Sequence, residues 1–358
     1  KYNDDLFLRN TIKPDGKNHG MVMLLDWSAS MTPHMFDTIK QVINLMWFCQ
    51  KVNIPFEVYA FTNSYWNTIF DKAVREGDIS TEDLRYGRMP EIWNLKEGNG
   101  SVHNNTCLLN LLSSRMSAKQ SSIMAKTLFK FGYCQVRNSG AFSGYEMSST
   151  PLVEALIGIQ KVLPSFIDKY GIDICNLMIL TDGECNSCMD SVFVEGSMDR
   201  RISYSRNRAI RGYYNRGSTY LEDPTTRKQY SLGDFTSMAD GYAYEGKIQE
   251  RAIIQMMKDR HNLNVVGIFL DGQANGRRLA ARTLDMMIGQ RYFNKEAHKE
   301  ARKHCRKYGF APIKTISYDE FYVVPVGTIR EDGGELSIEE GMSVGKMKSV
   351  FSKNQKTK

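Results

Sequence analysis

The stretch MVMLLDWSASMT, Met21 to Thr32, runs five apolar residues straight into an acid and then sets Asp26, Ser28 and Ser30 on alternate positions. A short apolar run bounded by turn formers is expected of a strand buried on both faces. Asp and Ser are common where such a strand turns, because their side chains bond nearby backbone. A lone D-x-S-x-S therefore decides nothing. The rest of the chain has to say whether three evenly spaced oxygens do more than close a turn.

Outward from that stretch the chain alternates strand-like and helix-like segments, the pattern of a sheet covered by helices. Between Pro33 and about Val52, Phe36, Ile39, Ile43, Met46 and Trp47 keep helical spacing, with Pro33 suited to the start. IPFEVYAF (Ile54–Phe61) is the next predicted strand, and Tyr65–Phe70 is expected to return beside it after a turn at Asn63 and Ser64. A helix opens at Pro151, just after Thr150, carries Leu152, Ala155, Leu156 and Ile159, and weakens near Pro164. Gly171 punctuates the approach to CNLMILTDGE, a buried strand closing on Thr181, Asp182 and Gly183. A helix from about Glu245 to His261 precedes the buried strand LNVVGIFL, and FYVVPVG is the last strand, with Pro325 at an edge or an end. The fold class expected is α/β, a doubly wound, mostly parallel, Rossmann-like sheet.

At 358 residues the chain is long enough for one large domain with insertions or for two domains. Its 42% hydrophobic and 24% charged residues are those of a globular protein, which argues against global disorder. No apolar run approaches the roughly 18 residues that span a bilayer. The seven cysteines are odd in number and scattered, several inside apolar runs, which fits reduced core thiols and a reducing, cytoplasmic compartment. The chain lacks an initiator Met and a signal-like start, so a trimmed or processed product is expected. Its organisation divides into a lead-in over 1–20, a domain over 21–327 and a Gly-, Ser- and Lys-rich tail over 328–358. Two long intervals interrupt the domain, at about 71–147 and 184–244, and intervals of that length are expected to be functional or separately folded insertions. The first contains the polar EGNGSVHNN and a helical region near Leu108–Phe131; in the second, STYLEDPTTRKQYSL has the pattern of a hairpin around Asp223 and Pro224.

Three strand or helix ends now carry oxygen donors: Asp26, Ser28 and Ser30 after the first strand, Thr150 ahead of a helix, and Asp182 after LMIL. In an open α/β sheet, functional groups gather beyond the carboxyl ends of the strands. If these strands are parallel neighbours, the five side chains converge. Two carboxylates and three hydroxyls suit a hard divalent cation, and Mg²⁺, which keeps several of its waters, needs few direct protein ligands. Crowded carboxylates need a cation in turn, because unpaired charges are costly to bury.

DWSAS, STPL and ILTDGE, in this order and with strands before the first and last, resemble the von Willebrand factor A (VWA) domain and its metal-ion-dependent adhesion site (MIDAS). The likeness covers the skeleton from about residue 20 to 327 without the two long intervals. It implies Asp26, Ser28 and Ser30 as first-loop ligands, Thr150 as the second and Asp182 as the third, often through water. It implies Mg²⁺, or another divalent ion such as Mn²⁺ or Ca²⁺, with one metal position left for an acidic side chain of a partner. Trp27 departs from the family pattern, where a small or polar residue is usual, and bears on the local surface chemistry. Within the family, TPLVEAL resembles the A domain of the CobT-type cobaltochelatase subunit and of similar proteins encoded by large phages. Those domains work beside MoxR-type AAA+ ATPases. The expectation is a non-catalytic, metal-dependent protein-binding adaptor in the cytoplasm, the host's if phage-encoded, that docks such an ATPase.

Two alternatives stay open. RRISYSRNRAIRGYYNRGSTY, rich in Arg and Tyr, suits nucleic acid or a phage structural role as well as a protein interface, and the net charge of +7 permits an acidic partner of either kind. A metal-assisted hydrolase is the enzyme alternative, although no P-loop, G-x-S-x-G or H-E-x-x-H is present. CNSC at Cys185 and Cys188 lacks a second ligand pair for zinc, so loop thiols are expected. His298 and His304 in EAHKEARKH are expected on a solvated helical face.

Overall fold

Along His19–Asp26 (β1) every side chain from Val22 onward is buried, and the two parities feed different layers. Val22 and Leu24 pack in one hydrophobic cluster, Met23 and Leu25 in another. Successive strand side chains alternate faces, so β1 must belong to a sheet covered on both sides. The computed structural model describes residues 18–62, 100–101, 107–137, 147–183, 189–190, 220–235, 245–288 and 294–326. In it β1 joins β2 (Phe56–Thr62), β3 (Cys107–Ser113), β4 (Ile174–Thr181), β5 (Leu263–Asp271), β6 (Ala311–Pro312) and β7 (Glu320–Pro325). The seven-stranded sheet has the order β6-β7-β5-β4-β1-β2-β3. β1 pairs in parallel with β2 and β4, β4 with β5, and β5 with β7; only the outer pairs β2–β3 and β6–β7 are antiparallel. The expected doubly wound, mostly parallel α/β sheet is the architecture found.

The chain leaves β1 for β2 and β3 on one side and then crosses back to lay β4, β5 and β7 on the other. The strand order therefore reverses between β1 and β4. A crevice opens beyond the carboxyl ends of strands at such a reversal. Helices α1 (Met35–Val52) and α2 (Ala118–Val136) cover the Met23 and Leu25 face. Helices α3 (Leu152–Ile159), α4 (Leu163–Tyr170) and α5 (Glu245–Arg260) cover the Val22 and Leu24 face. A third cluster joins α6 (Ala281–Ile288) and α7 (Lys295–Tyr308) to Phe269, Phe321 and Val323 at the β5–β7 end. Among the described residues no helix is long and apolar enough to cross a membrane.

Local sequence explains most of these boundaries. Ser117 and Gln120 form a reciprocal capping box that starts α2. Pro164 falls in the first turn of α4, and Gly171, at φ +57°, closes that helix in the left-handed conformation that glycine adopts freely. The hairpin expected around Asp223 and Pro224 is present as Tyr220–Glu222 paired with Gln229–Ser231. It packs on α5: buried Asp223 pairs with Arg260, Tyr230 Oη donates to Asp259 at 2.9 Å, and Tyr230 and Leu232 enter the core.

Two expectations are corrected. The region near Leu108–Phe131 is not one helix. CLLNLLS is β3, antiparallel to β2, and the helix starts only after Ser117. Nearly uniform leucine has neither strand nor helix period, so it took the shape that pairs an otherwise open sheet edge. His298 is not on a solvated face: it is buried with Ala301 and Cys305 on the inner side of α7, 3.7 Å from Asp285. His304 is half-buried against Tyr308 and Phe310. Cys49, Cys134, Cys175 and Cys305 are free thiols. Tyr65–Phe70, the CNSC pair, the Arg- and Tyr-rich segment before Tyr220 and the tail lie outside the described residues.

One buried charge is left over. Glu154, in the first turn of α3, is buried, and neither carboxylate oxygen has a hydrogen-bond partner among the described residues. Burial pushes its carboxyl up to about 7 from 4.5. Between those values the folded chain holds a proton that the unfolded chain has released, so stability falls as pH rises through that window. Glu154→Gln should remove that slope and recover roughly 2–3 kcal/mol at pH 8. Urea midpoints of the two proteins from pH 4 to pH 8 measure it.

Candidate metal centre

Asp26 ends β1 on the same parity as Val22 and Leu24, and Thr181 ends β4 on the parity of Leu177 and Ile179. Leu25 pairs with Leu180 across the two strands, so the next residues, Asp26 and Thr181, meet at the crevice. Thr181 Oγ1 donates to Asp26 Oδ2 at 2.6 Å, and the Ser28 amide donates to Asp26 Oδ1 at 2.9 Å. Both bonds reach a carboxylate with no solvent exposure. The Gly183 amide donates back to Thr181 Oγ1 at 3.1 Å, so the threonine hydroxyl ties both loops to one point.

From Asp26 the donors climb towards solvent. The Ser28 and Ser30 hydroxyls are 2.9 Å apart, and Ser30 Oγ donates to Asp182 Oδ1 at 2.7 Å. Ser28 is buried, Asp182 half-buried and Ser30 exposed. Thr150 arrives through its own loop. Ser148 bridges Ser28 in parallel, with Ala29 N donating to Ser148 O at 2.8 Å and Ser148 N to Trp27 O at 3.3 Å. A Cβ on Gly183 would lie 3.3 Å from Thr150 Oγ1, so the third loop runs close over the second. The structure thus brings all five sequence-chosen residues together, at the reversal between β1 and β4.

Trp27, the departure from pattern, does not shape the surface. With odd parity it turns away from Asp26 into the opposite core, fully buried and stacked on Phe131 of α2 at 4.7 Å. The first loop is therefore pinned on both faces of the sheet. Thr181 is the site residue that sequence reasoning left without a role. Its signal was parity with Ile179 and Leu177, but only the β1–β4 register shows what it faces.

The electrostatics of the cluster are unbalanced. Burial raises the Asp26 carboxyl to about 7, and the neighbouring Asp182 charge adds to the rise. The Asp182 carboxyl is raised too, again mainly by burial. No lysine or arginine among the described residues forms an ion pair with either. Among the described residues there is also no group of three or more His, Cys, Asp or Glu that could hold a metal. The donor set here is different: two carboxylates and the hydroxyls of Ser28, Ser30 and Thr150, all hard oxygens. Such a set fits Mg²⁺ or a similar divalent ion and would suit a soft or nitrogen-seeking metal poorly.

No protein-family model matches the chain, and no curated protein matches its sequence. Among solved structures, the pilus adhesin SpaC from Lactobacillus rhamnosus GG gives a TM-score of 0.37 at 12% identity, over 82% of this chain and 31% of that one. The human COPII-coat protein Sec24c gives 0.28 at 10% identity, over 87% of this chain and 37% of that one. The chain spans about a third of the length of those proteins. At such scores neither likeness bears on function.

Thr181→Val leaves the shape of the side chain but removes the hydroxyl beneath Asp26. With a buried acceptor orphaned, the loss should be about 1.5–3 kcal/mol, and Thr181→Ser should restore most of it. Urea denaturation of the three proteins in EDTA makes the comparison.

Proposed function

We propose that the chain is a VWA-type domain that uses Asp26, Ser28, Ser30, Thr150 and Asp182 to hold a divalent cation, Mg²⁺ in the first instance, and through it binds a protein partner. The observation that carries this reading is a pair of carboxylates joined by hydroxyls at the strand-order reversal, with no lysine or arginine among the described residues paired to either. Each residue has a distinct task in it. Asp26 supplies charge from the floor, kept in place by Thr181 and the Ser28 amide. Ser28 and Thr150 supply neutral donors from the buried walls. Ser30 and Asp182 stand at the rim, where a partner can reach. The cation, when bound, supplies a coordination position that an Asp or Glu of the partner can fill.

The order DWSAS, STPL, ILTDGE supports the VWA assignment, and TPLVEAL supports the branch that resembles CobT-type cobaltochelatase subunits. On that likeness the partner is a MoxR-type AAA+ ATPase, and the chain is the adaptor between the ATPase and a client. The docking itself needs no covalent chemistry from this chain.

Cation binding to the folded state alone stabilises it by about 2.7 kcal/mol at a hundredfold excess over Kd. Saturating Mg²⁺ or Mn²⁺ should therefore raise the unfolding temperature of the full chain by roughly 3–6 °C, and Asp26→Ala or Asp182→Ala should abolish that response. Affinity capture from the native lysate should recover an AAA+ ATPase with Mg²⁺ and lose it with EDTA. The same proteins captured with and without EDTA, or by both variants, would end the docking proposal.

A further inference from the structure

Five large hydrophobic side chains are exposed among the described residues: Trp47 (50%), Ile123 (56%), Phe129 (46%), Tyr133 (43%) and Tyr220 (55%). All but Tyr220 lie on one helix pair, α1 and α2. Single exposed apolar residues are ordinary, but a gathering of aromatic ones on one surface marks a place of contact. The two helices pack antiparallel. At one end Gln50 Nε2 donates to Ser121 Oγ at 3.4 Å; at the other, Phe36 meets Phe129 edge-on at 4.9 Å and Tyr133 at 6.1 Å. Gly132 sets the close approach there, since a Cβ on it would lie 3.0 Å from Phe36 Cα. Phe36, Lys40 and Trp47 share one face of α1 by helical spacing. An aromatic ridge therefore follows the seam between the helices.

The charge on this surface is predominantly positive. Helix α2 carries Lys119, Lys126 and Lys130 and has no Asp or Glu in its 19 residues; Arg137 follows it. Helix α1 adds Lys40 and Lys51 against Asp37 alone, and Asp37 is paired with Lys40 at 2.5 Å. Lys40 stands over the Phe36 ring at 4.7 Å and Arg137 over the Tyr133 ring at 4.8 Å. Those cations occupy one face each of the Phe36 and Tyr133 rings, which disfavours stacking of a nucleobase there. A second copy of this chain would bring like charges together across the seam. An apolar segment bearing carboxylates meets both features at once.

We infer that the α1–α2 surface docks an acidic, amphipathic segment of a partner protein. Its apolar side chains cover Trp47, Phe129 and Tyr133, and its carboxylates face Lys40, Lys126, Lys130 and Arg137. Aromatic anchors within a polar rim have the composition of protein interfaces, and helix-in-groove docking reads such a seam at i, i+3, i+4 and i+7. The surface is separate from the cation cluster and needs no metal. It begins close to it, because Phe36 opens α1 shortly after Ser30.

The test is to pan a displayed library of random peptides, about 12 residues long or three helical turns, on the full chain in EDTA. Phe129→Ser/Tyr133→Ser protein, both side chains being exposed, serves for counter-selection. The expected binders combine Asp or Glu with Leu, Phe or Trp at helical spacing. They should lose about tenfold or more in affinity on the double variant and on Lys126→Glu/Lys130→Glu, and keep their affinity for Asp182→Ala. Circular dichroism and melting of the variants confirm that they fold. Enrichment of neutral or basic peptides, equal binding to the double variant, no enrichment at all, or tighter binding of an oligo(dT) probe to the same surface would each overturn the inference. Failure of the cation response with retained peptide binding would count against the metal reading and leave this one standing.

Discussion

A carboxylate with no solvent exposure at the end of β1 is the constraint from which the rest of the site follows. An uncompensated charge in that position costs several kcal/mol. Asp26 accepts from the Thr181 hydroxyl and the Ser28 amide, and the charge of Asp182 acts on it with the same sign. The parallel pairing of β1 with β4 makes this arrangement unavoidable: the register that joins Leu25 to Leu180 puts the two polar strand ends side by side. Hydroxyls fill the space between the carboxylates, yet hydroxyls add no charge. A divalent cation is what the proposed reading adds to balance the carboxylates.

The loop that carries these donors is unusually well fixed for a loop. Asp26 is turned to one core and Trp27 to the other, and Trp27 stacks on Phe131 of α2. The second loop is laid along the first by the Ser28–Ser148 bridge. Donors held on such a support are largely in place before anything binds, which reduces the ordering cost that a mobile loop would carry. The same Trp27–Phe131 contact links the crevice to α2, whose outer side bears the aromatic and cationic ridge. Two faces that differ in chemistry, one acidic and hard, one basic and apolar, thus share one rigid element.

How much of this could be read in the sequence varies by element. β1, β4 and β5 were legible because one face of each is buried and the other buried or half-buried, which leaves apolar runs ending in polar residues. That Asp26, Ser28, Ser30, Thr150 and Asp182 would converge was legible because their spacing and strand-end positions are local features. β3 was not, because the adjacent leucine pairs Leu108–Leu109 and Leu111–Leu112 in CLLNLLS erase the period that separates strand from helix. His298 was missed for the opposite reason. In EAHKEARKHC the inner stripe of His298, Ala301 and Cys305 is small and weakly apolar, so charge dominates the segment while helical spacing still buries it. Thr181 needed the register between strands far apart in sequence, which no local pattern contains. Trp27 was visible as an anomaly, but its direction followed only from the alternation that sends it away from Asp26.

The central claim is that the strand-end cluster holds a divalent cation, and Mn²⁺ can be located directly. Crystals of the full chain soaked in Mn²⁺ should give an anomalous peak bounded by Asp26, Ser28, Ser30, Thr150 and Asp182, and Asp182→Ala crystals should lose it. An empty cluster at saturating Mn²⁺, or a peak only at other surface carboxylates, would contradict the account.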